Sequence, residues 1–257
     1  MVSASLILVN TFEILISHSM LNHSAPSRCA VQALLDRDPE MQIVVFTGDK
    51  ELKTDILNKA KERFSIDLTA AAERIRFVRL TLRFLLEAPR YPVFTLLGQS
   101  VGGAVVGLEA LLRLTPAVFI DTMGCAPTYL AARYLMGCRV GCYVHYPTIS
   151  TDMLQLVARR ETSYNNRAFI SKSALLSHIK VVYYRLLAAS YGVAGRASHA
   201  TMVNSSWTRG HVAEIWGRAT CPAIVFPPCN TSNLCGIAFA DREQLVISLR
   251  QFLFNLY

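Results

Sequence analysis

Residues 117 to 151, AVFIDTMGCAPTYLAARYLMGCRVGCYVHYPTIST, constrain the fold more than any other stretch. Two short apolar runs lie here, Ala117 to Ile120 and Val140 to Val144, both rich in β-branched or aromatic residues. The first stops at Asp121-Thr122-Met123-Gly124 and the second at His145-Tyr146-Pro147-Thr148, both polar, loop-forming groups. Between them Pro127 to Met136 reads as a helix, with proline where the first turn tolerates it. Strand, loop, helix, strand, loop is a βαβ unit, and it requires a parallel sheet. Ligands of such sheets sit beyond the carboxyl ends of the strands, where Asp121 and His145 both fall.

Strands and helices alternate through the rest of the chain. Ser27 to Arg37 has helical spacing, Gln42 to Thr47 is a strand, Lys50 to Lys61 an amphipathic helix and Ile75 to Leu80 a strand. Ala200 to Val203 is a further strand, Trp207 to Trp216 a helix and Ala223 to Phe226 a last strand closed by Pro227-Pro228-Cys229. The pattern is α/β, an open, Rossmann-like parallel sheet. Met1 to Leu21 is apolar but interrupted by Asn10, Glu13 and His18, so it reads as a weak membrane anchor or as a buried first strand with a short helix.

At 257 residues the chain suffices for one large domain or two small ones, and 52% hydrophobic with 17% charged residues describes a packed protein. The net charge of +8 suits acidic partners, unless the Arg and Lys residues are simply a solvated surface. No basic block interleaved with aromatics occurs, which argues against nucleic acid. Seven scattered cysteines fit reduced thiols; Cys138 and Cys142 flank a strand, no second pair completes a zinc site, and the two read as core residues. Asn22, Asn204 and Asn230 begin N-x-S/T triplets, which a cytosol-facing protein would leave unmodified.

Tyr91 to Leu114 admits two readings. Gly98-Gln99-Ser100-Val101-Gly102 between an apolar run and a helix has the form of a nucleophile elbow. A serine hydrolase would then use Ser100 with Asp152 and one of His178, His199 or His211. Alternatively one helix runs from about Pro92 to Leu114, with Gly98, Gly102, Gly103 and Gly107 allowing close contact with a neighbouring helix or lipid. Farther on, Arg159 to Lys172 suits an exposed loop, and Leu175 to Gly195 is a long apolar helix. It either lies in a bilayer face, with Tyr183, Tyr184, Leu186, Leu187 and Tyr191 against lipid, or is a buried crossover helix. Ser205 or Ser206 can cap the helix that follows, leaving N–H groups toward the crevice of Asp121 and His145.

FIDTMG (Phe119 to Gly124), CRVGCYVHYPTISTDML (Cys138 to Leu154), the loop Tyr164-Asn165-Asn166 and MVNSSWT (Met202 to Thr208) resemble the ALG11-type mannosyltransferases of asparagine-linked glycosylation. IVFPPCN (Ile224 to Asn230), LLGQSVG and VVFTGD fit the same pattern, and the resemblance covers roughly Cys29 to Leu249. It implies the N-terminal half of a GT-B glycosyltransferase, in which two Rossmann-like domains face across a cleft. It further implies retaining transfer of α-1,2-linked mannose from GDP-mannose, without metal or other cofactor. The acceptor would be a dolichol-pyrophosphate-linked Man3GlcNAc2, then its Man4 product, on the cytosolic face of the endoplasmic reticulum membrane.

On that resemblance His145 holds a sugar hydroxyl and supports charge build-up, unless it is a core histidine. Asp121 binds an acceptor hydroxyl or caps a loop, while Thr122, Gly124, Tyr146, Thr148, Asn204, Ser205 and Ser206 line the cleft. Two departures stand out. The family's glycine-bearing loop would fall at Asn22 to Arg28, where no glycine stands, and a whole second domain is expected after Leu249. The organisation is therefore read as a divergent segment at 1–24, an acceptor-side domain at 25–246 and the start of a donor domain at 247–257. The chain alone is expected to transfer little mannose. The alternative to an enzyme is a non-catalytic isoform that binds membrane or partner mannosyltransferases.

Overall fold

The computed structural model describes residues 13–17, 25–47, 53–64, 67–122, 124–158 and 174–227. The expected Tyr164-Asn165-Asn166 loop, the segment 247–257 and most of 1–24 lie outside the described residues.

Seven strands form one sheet in the order β3-β2-β1-β4-β5-β6-β7, every pairing parallel. They are β1 (Glu13–Ser17), β2 (Gln42–Thr47), β3 (Ile75–Arg79), β4 (Val118–Asp121), β5 (Arg139–Val144), β6 (Ala200–Val203) and β7 (Ala223–Ile224). The order reverses between β1 and β4, the switch point of a doubly wound fold. Glu13–Ser17 is central in the sheet, pairing with β2 on one side and β4 on the other.

The helices are α1 (Ala25–Arg37), α2 (Lys53–Phe64), α3 (Thr95–Arg113), α4 (Pro127–Leu130), α5 (Thr151–Ala158), α6 (Ala174–Gly195) and α7 (Ser206–Trp216). After α4 the chain widens into a π turn at Ala131–Leu135, where the Met136 amide donates to Ala131 five residues back.

Strand alternation divides the core by face. One face carries Val44, Phe46, Phe119, Val140, Cys142, Val144 and Val203 against Leu111, Tyr129, Tyr191 and Trp216 of the helices. The other carries Ile43, Val45 and Ile75 against Val31, Leu35, Ile56 and Leu57 of α1 and α2. β2 is apolar in consecutive residues because both of its sides are buried. Trp216, fully enclosed, receives the edges of Tyr129 and Tyr191 at centroid distances of 6.2 and 5.3 Å.

α3 settles the Gly98-to-Gly102 question in favour of the single helix. No strand precedes it: residues 91 to 94 are irregular, and Phe94 enters the helix at φ 53°. A Cβ at Gly102 would overlap the Leu85 carbonyl, and one at Gly107 would overlap Thr128. The glycines thus let α3 lie close to the 82–86 segment and to α4. Glu109 fastens the same side, accepting from the amides of Thr81 and Leu82 at 2.9 Å each.

Candidate functional site

The loops after β4, β5 and β6 carry the expected site residues. β4 and β5 run side by side with Asp121 opposite Cys142. Alternation sends Phe119 and Asp121 to the face that holds Tyr129, and Tyr143 to the opposite face. His145 follows Tyr143, the two rings meeting edge to face at 4.7 Å.

Asp121 is 1% exposed, and its Oδ2 accepts a 2.6 Å hydrogen bond from the Tyr129 hydroxyl. Burial, with the adjacent carboxylate second, pushes the Tyr129 phenol far above its ordinary range. Asp121 is therefore a core carboxylate that ties the end of β4 to α4, and the expectation that it meets an acceptor in a crevice shared with His145 is corrected. Thr122 is buried beside it. Gly124 turns the loop at φ +83°, with nothing within 4 Å of where a Cβ would stand. That conformation favours glycine there.

His145 is half-buried, and its Nε2 is enclosed without a hydrogen-bond partner among the described residues. Burial holds its imidazole below the ordinary pKa, so it is neutral near pH 7. An enclosed ring nitrogen lacking a partner costs on the order of 1–3 kcal/mol, and a ligand hydroxyl would remove that penalty.

The loop of His145 is fixed to the start of α7. The Thr208 hydroxyl shares its one proton between Asn204 Oδ1 at 2.7 Å and, more weakly, the His145 carbonyl at 3.4 Å. Ser205, not Ser206, caps α7: its Oγ accepts from the Thr208 amide at 3.2 Å. Ser206 is exposed at the same edge, and Thr148 lies beside the buried Tyr191 hydroxyl. Tyr146 stacks on Trp207 with centroids 5.2 Å apart and planes 29° apart. Trp207 meets the His211 ring edge-on at 4.2 Å. His211 Nδ1 takes Thr151 Oγ1 at 2.6 Å, and its Nε2 lies 3.3 Å from Asp152 Oδ2.

His145, Tyr146, Asn204, Ser205 and Ser206 thus converge at the carboxyl edge of β5 and β6. Trp207, Thr151 and Thr208 belong to the same cluster and went unread; the signal available was a tryptophan directly after a Ser-Ser cap. Asp152 and His211 do pair, as a hydrolase would need. Ser100, however, sits inside α3 with its hydroxyl donating to the Leu96 carbonyl at 2.7 Å, so it is no nucleophile. His199 lies at the opposite edge, before β6, where its Nδ1 accepts from the Val140 amide. Among the described residues no three His, Cys, Asp or Glu side chains could hold a metal.

The residues expected on the lipid face of α6 divide between its two sides. Tyr184, Leu187 and Tyr191 are buried, packed with Ile149 and Val157 or against Trp216. Their spacing of three and four residues is the inward stripe of a crossover helix. Leu186 is exposed, while the Tyr183 hydroxyl accepts from the Leu97 amide and its ring meets Phe94. Exposed apolar rows lie on both long helices: Leu97, Val101, Val105, Leu108 and Leu112 on α3, each 36% to 70% exposed, and Ile179, Val182, Leu186 and Val193 on α6, each 41% to 67% exposed. Among the described residues α3 is also the one helix long and apolar enough to cross a membrane.

The family model described as "ALG11 mannosyltransferase N-terminus" matches residues 28–216. A mouse protein named GDP-Man:Man(3)GlcNAc(2)-PP-Dol alpha-1,2-mannosyltransferase is 46% identical over 229 residues, which are 87% of this chain and 46% of that protein. A Caenorhabditis elegans protein of the same name is 42% identical over 221 residues, 86% of this chain and 45% of its own length. The chain therefore spans about half the length of the curated relatives it matches. Among solved structures, LpCGTa in complex with UDP aligns over 88% of this chain and 55% of its own, at 13% identity and a TM-score of 0.47.

Proposed function

The chain belongs to the family of the ALG11 mannosyltransferase N-terminus, and from that premise we propose that it is the acceptor-side half of a GT-B α-1,2-mannosyltransferase. The donor is GDP-mannose and the acceptor the lipid-pyrophosphate glycan Man3GlcNAc2, extended at the cytosolic face of the endoplasmic reticulum. The observation that carries this reading is 46% identity to the mouse enzyme across 87% of the chain.

Transfer breaks the bond from mannose C1 to the β-phosphate oxygen and forms one from C1 to an acceptor oxygen. GDP leaves with the electron pair, and the acceptor hydroxyl passes its proton to the departing phosphate oxygen. Groups that neutralise the departing phosphate act where charge develops; we assign them to the half that the relatives carry beyond the matched segment. In this half His145 sits at the carboxyl edge, neutral and with Nε2 unengaged. We assign that nitrogen to a hydroxyl of the transferred mannose. Orienting the sugar brings C1 to the acceptor, and a neutral ring adds no competing positive charge beside the forming cation. Thr208 and Asn204 hold the loop that sets His145 in place.

The acceptor carries its glycan on a lipid, so the domain must work against a bilayer. The exposed row on α3 supplies the contact. The glycine side of the helix is packed on the protein, so it offers lipid one face and lies along the surface without crossing it. The chain joined to the remaining half of the mouse enzyme tests the reading. It should move labelled mannose from GDP-mannose to lipid-linked Man3GlcNAc2, and neither half alone should do so. A folded fusion that consumes GDP-mannose but never extends that glycan would refute it.

A further inference from the structure

Tyr146 is 60% exposed and Trp207 43%, yet their rings are stacked. Two large aromatics from separate elements, a loop after β5 and the first turn of α7, are held open to solvent at the edge where His145 lies. The arrangement is braced from below. Trp207 rests on the edge of His211, and both His211 nitrogens are engaged. Since Nδ1 accepts from Thr151, Nε2 carries the proton and donates to Asp152. The Thr208 hydroxyl, bound to the His145 carbonyl, locks loop to helix.

A pyranose ring has an apolar C–H face and a rim of hydroxyls. It is recognised by an aromatic plane to lie on and by an acceptor for the rim. Tyr146 leaves one ring face uncovered by Trp207, and Asp152 is exposed, held at one oxygen by His211 and with lone pairs to spare. A nucleobase would also stack, but it brings phosphates, and the charge anchored beside this pair is a carboxylate. We propose that Tyr146 and Trp207 form a sugar-binding platform for one mannose of the acceptor glycan, with Asp152 accepting from its hydroxyls. This rests on the transferase reading and goes further, fixing where the acceptor chain lies.

The 257-residue chain has two tryptophans, and Trp216 is fully buried, so ligand-induced fluorescence change reports Trp207. Titration with free Man3GlcNAc2, which lacks the lipid, should give a saturable change in the millimolar range or below. Tyr146→Phe should bind within twofold of the parent, Tyr146→Ala three- to tenfold more weakly and Asp152→Asn severalfold more weakly, all with unchanged circular dichroism. No saturable change in the parent chain, equal affinity in Tyr146→Ala, or the same change with GDP alone would each overturn the platform. In the active fusion, Tyr146→Ala should raise the acceptor KM while the KM for GDP-mannose stays put. An unaltered acceptor KM beside sound transfer removes the platform and leaves the transferase reading standing. Absence of transfer by the fusion removes the transferase reading itself.

Discussion

Replacing Val101 and Leu112 of α3 with aspartate should detach the chain from vesicles. The two are 56% and 70% exposed, so they spend little on folding, and surface changes of this kind usually stay within about ±0.5 kcal/mol of stability. Fully burying an aliphatic side chain is worth roughly 1.5–3 kcal/mol. Scaled by exposure, all five residues of the row offer a bilayer the equivalent of about two and a half whole side chains, or roughly 4–7 kcal/mol before the cost of immobilisation. The double variant forfeits half of this, about 2–4 kcal/mol, and places two carboxylates against the lipid face. The vesicle partition coefficient should fall roughly 30- to 1,000-fold. Flotation of the purified chain with phosphatidylcholine vesicles, with and without an anionic lipid, measures it. Equal flotation of parent and variant, or no flotation of the parent, would refute the assignment. Tyr191→Ala on α6 is the contrast: that ring packs on Trp216, so the change should lower the unfolding midpoint without acting on lipid directly.

His145→Ala in the fusion enzyme should lower mannose transfer roughly 100-fold with the fold retained, the scale of one lost oriented hydrogen bond at a reacting centre; steady-state kinetics decide it. Gly107→Ala should destabilise by about 1–3 kcal/mol, because the added methyl overlaps Thr128 in a closed contact and neither helix has room to yield; urea unfolding reads this directly. Burial holds the imidazole of His145 below the ordinary 6.5, and slight desolvation with the nearby Arg133 and Arg139 charges does the same for the exposed His199. As pH falls, the unfolded chain takes up their protons first, so their contribution is complete above about 6.5 and declines as pH drops toward the folded values. The urea midpoint should therefore decrease from pH 7 to 5.5, and less steeply in His145→Gln.

The strands were legible where a run of consecutive apolar residues ends at a turn. Gln42–Thr47 and Ala200–Val203 have the expected bounds; β2 buries both of its faces and admits few polar interruptions, while β6 alternates between buried and more open positions. The cap at Ser205 was legible for a similar local reason. Less legible was anything that depends on which side an element turns inward. α6 is apolar nearly all round, and such a helix reads alike whether a sheet or a bilayer covers it; only packing shows that Tyr184, Leu187 and Tyr191 face in while Leu186 faces out. Asp121 stands at the end of its strand, as a ligand-binding residue would, but the parity it shares with Phe119 turns it into the core. The partner waiting there, Tyr129, is eight residues away on a helix whose rotation the sequence leaves open. Trp207 and Tyr146 are far apart in the chain and meet through tertiary structure alone.

Sidedness also bears on how one domain could meet the proposed acceptor, which is part lipid and part sugar. In a parallel α/β fold each crossover helix starts at the carboxyl edge of the sheet. The N-terminal end of α3 therefore opens at the edge that carries His145, Tyr146 and Trp207. There Leu97 and Phe94 meet Tyr183 of α6, a helix that starts from the same edge. From that junction the exposed row runs the length of α3, about 28 Å for 19 residues at 1.5 Å each. With the row seated on a bilayer surface, a headgroup at the junction would carry its glycan toward the aromatic pair. The buried Asp121–Tyr129 bond belongs to this arrangement, because it fixes α4, on which the glycine side of α3 packs. Tyr129→Phe should thus weaken both the fold and, through the seating of α3, the contact with lipid, whereas Tyr146→Ala should affect glycan binding alone.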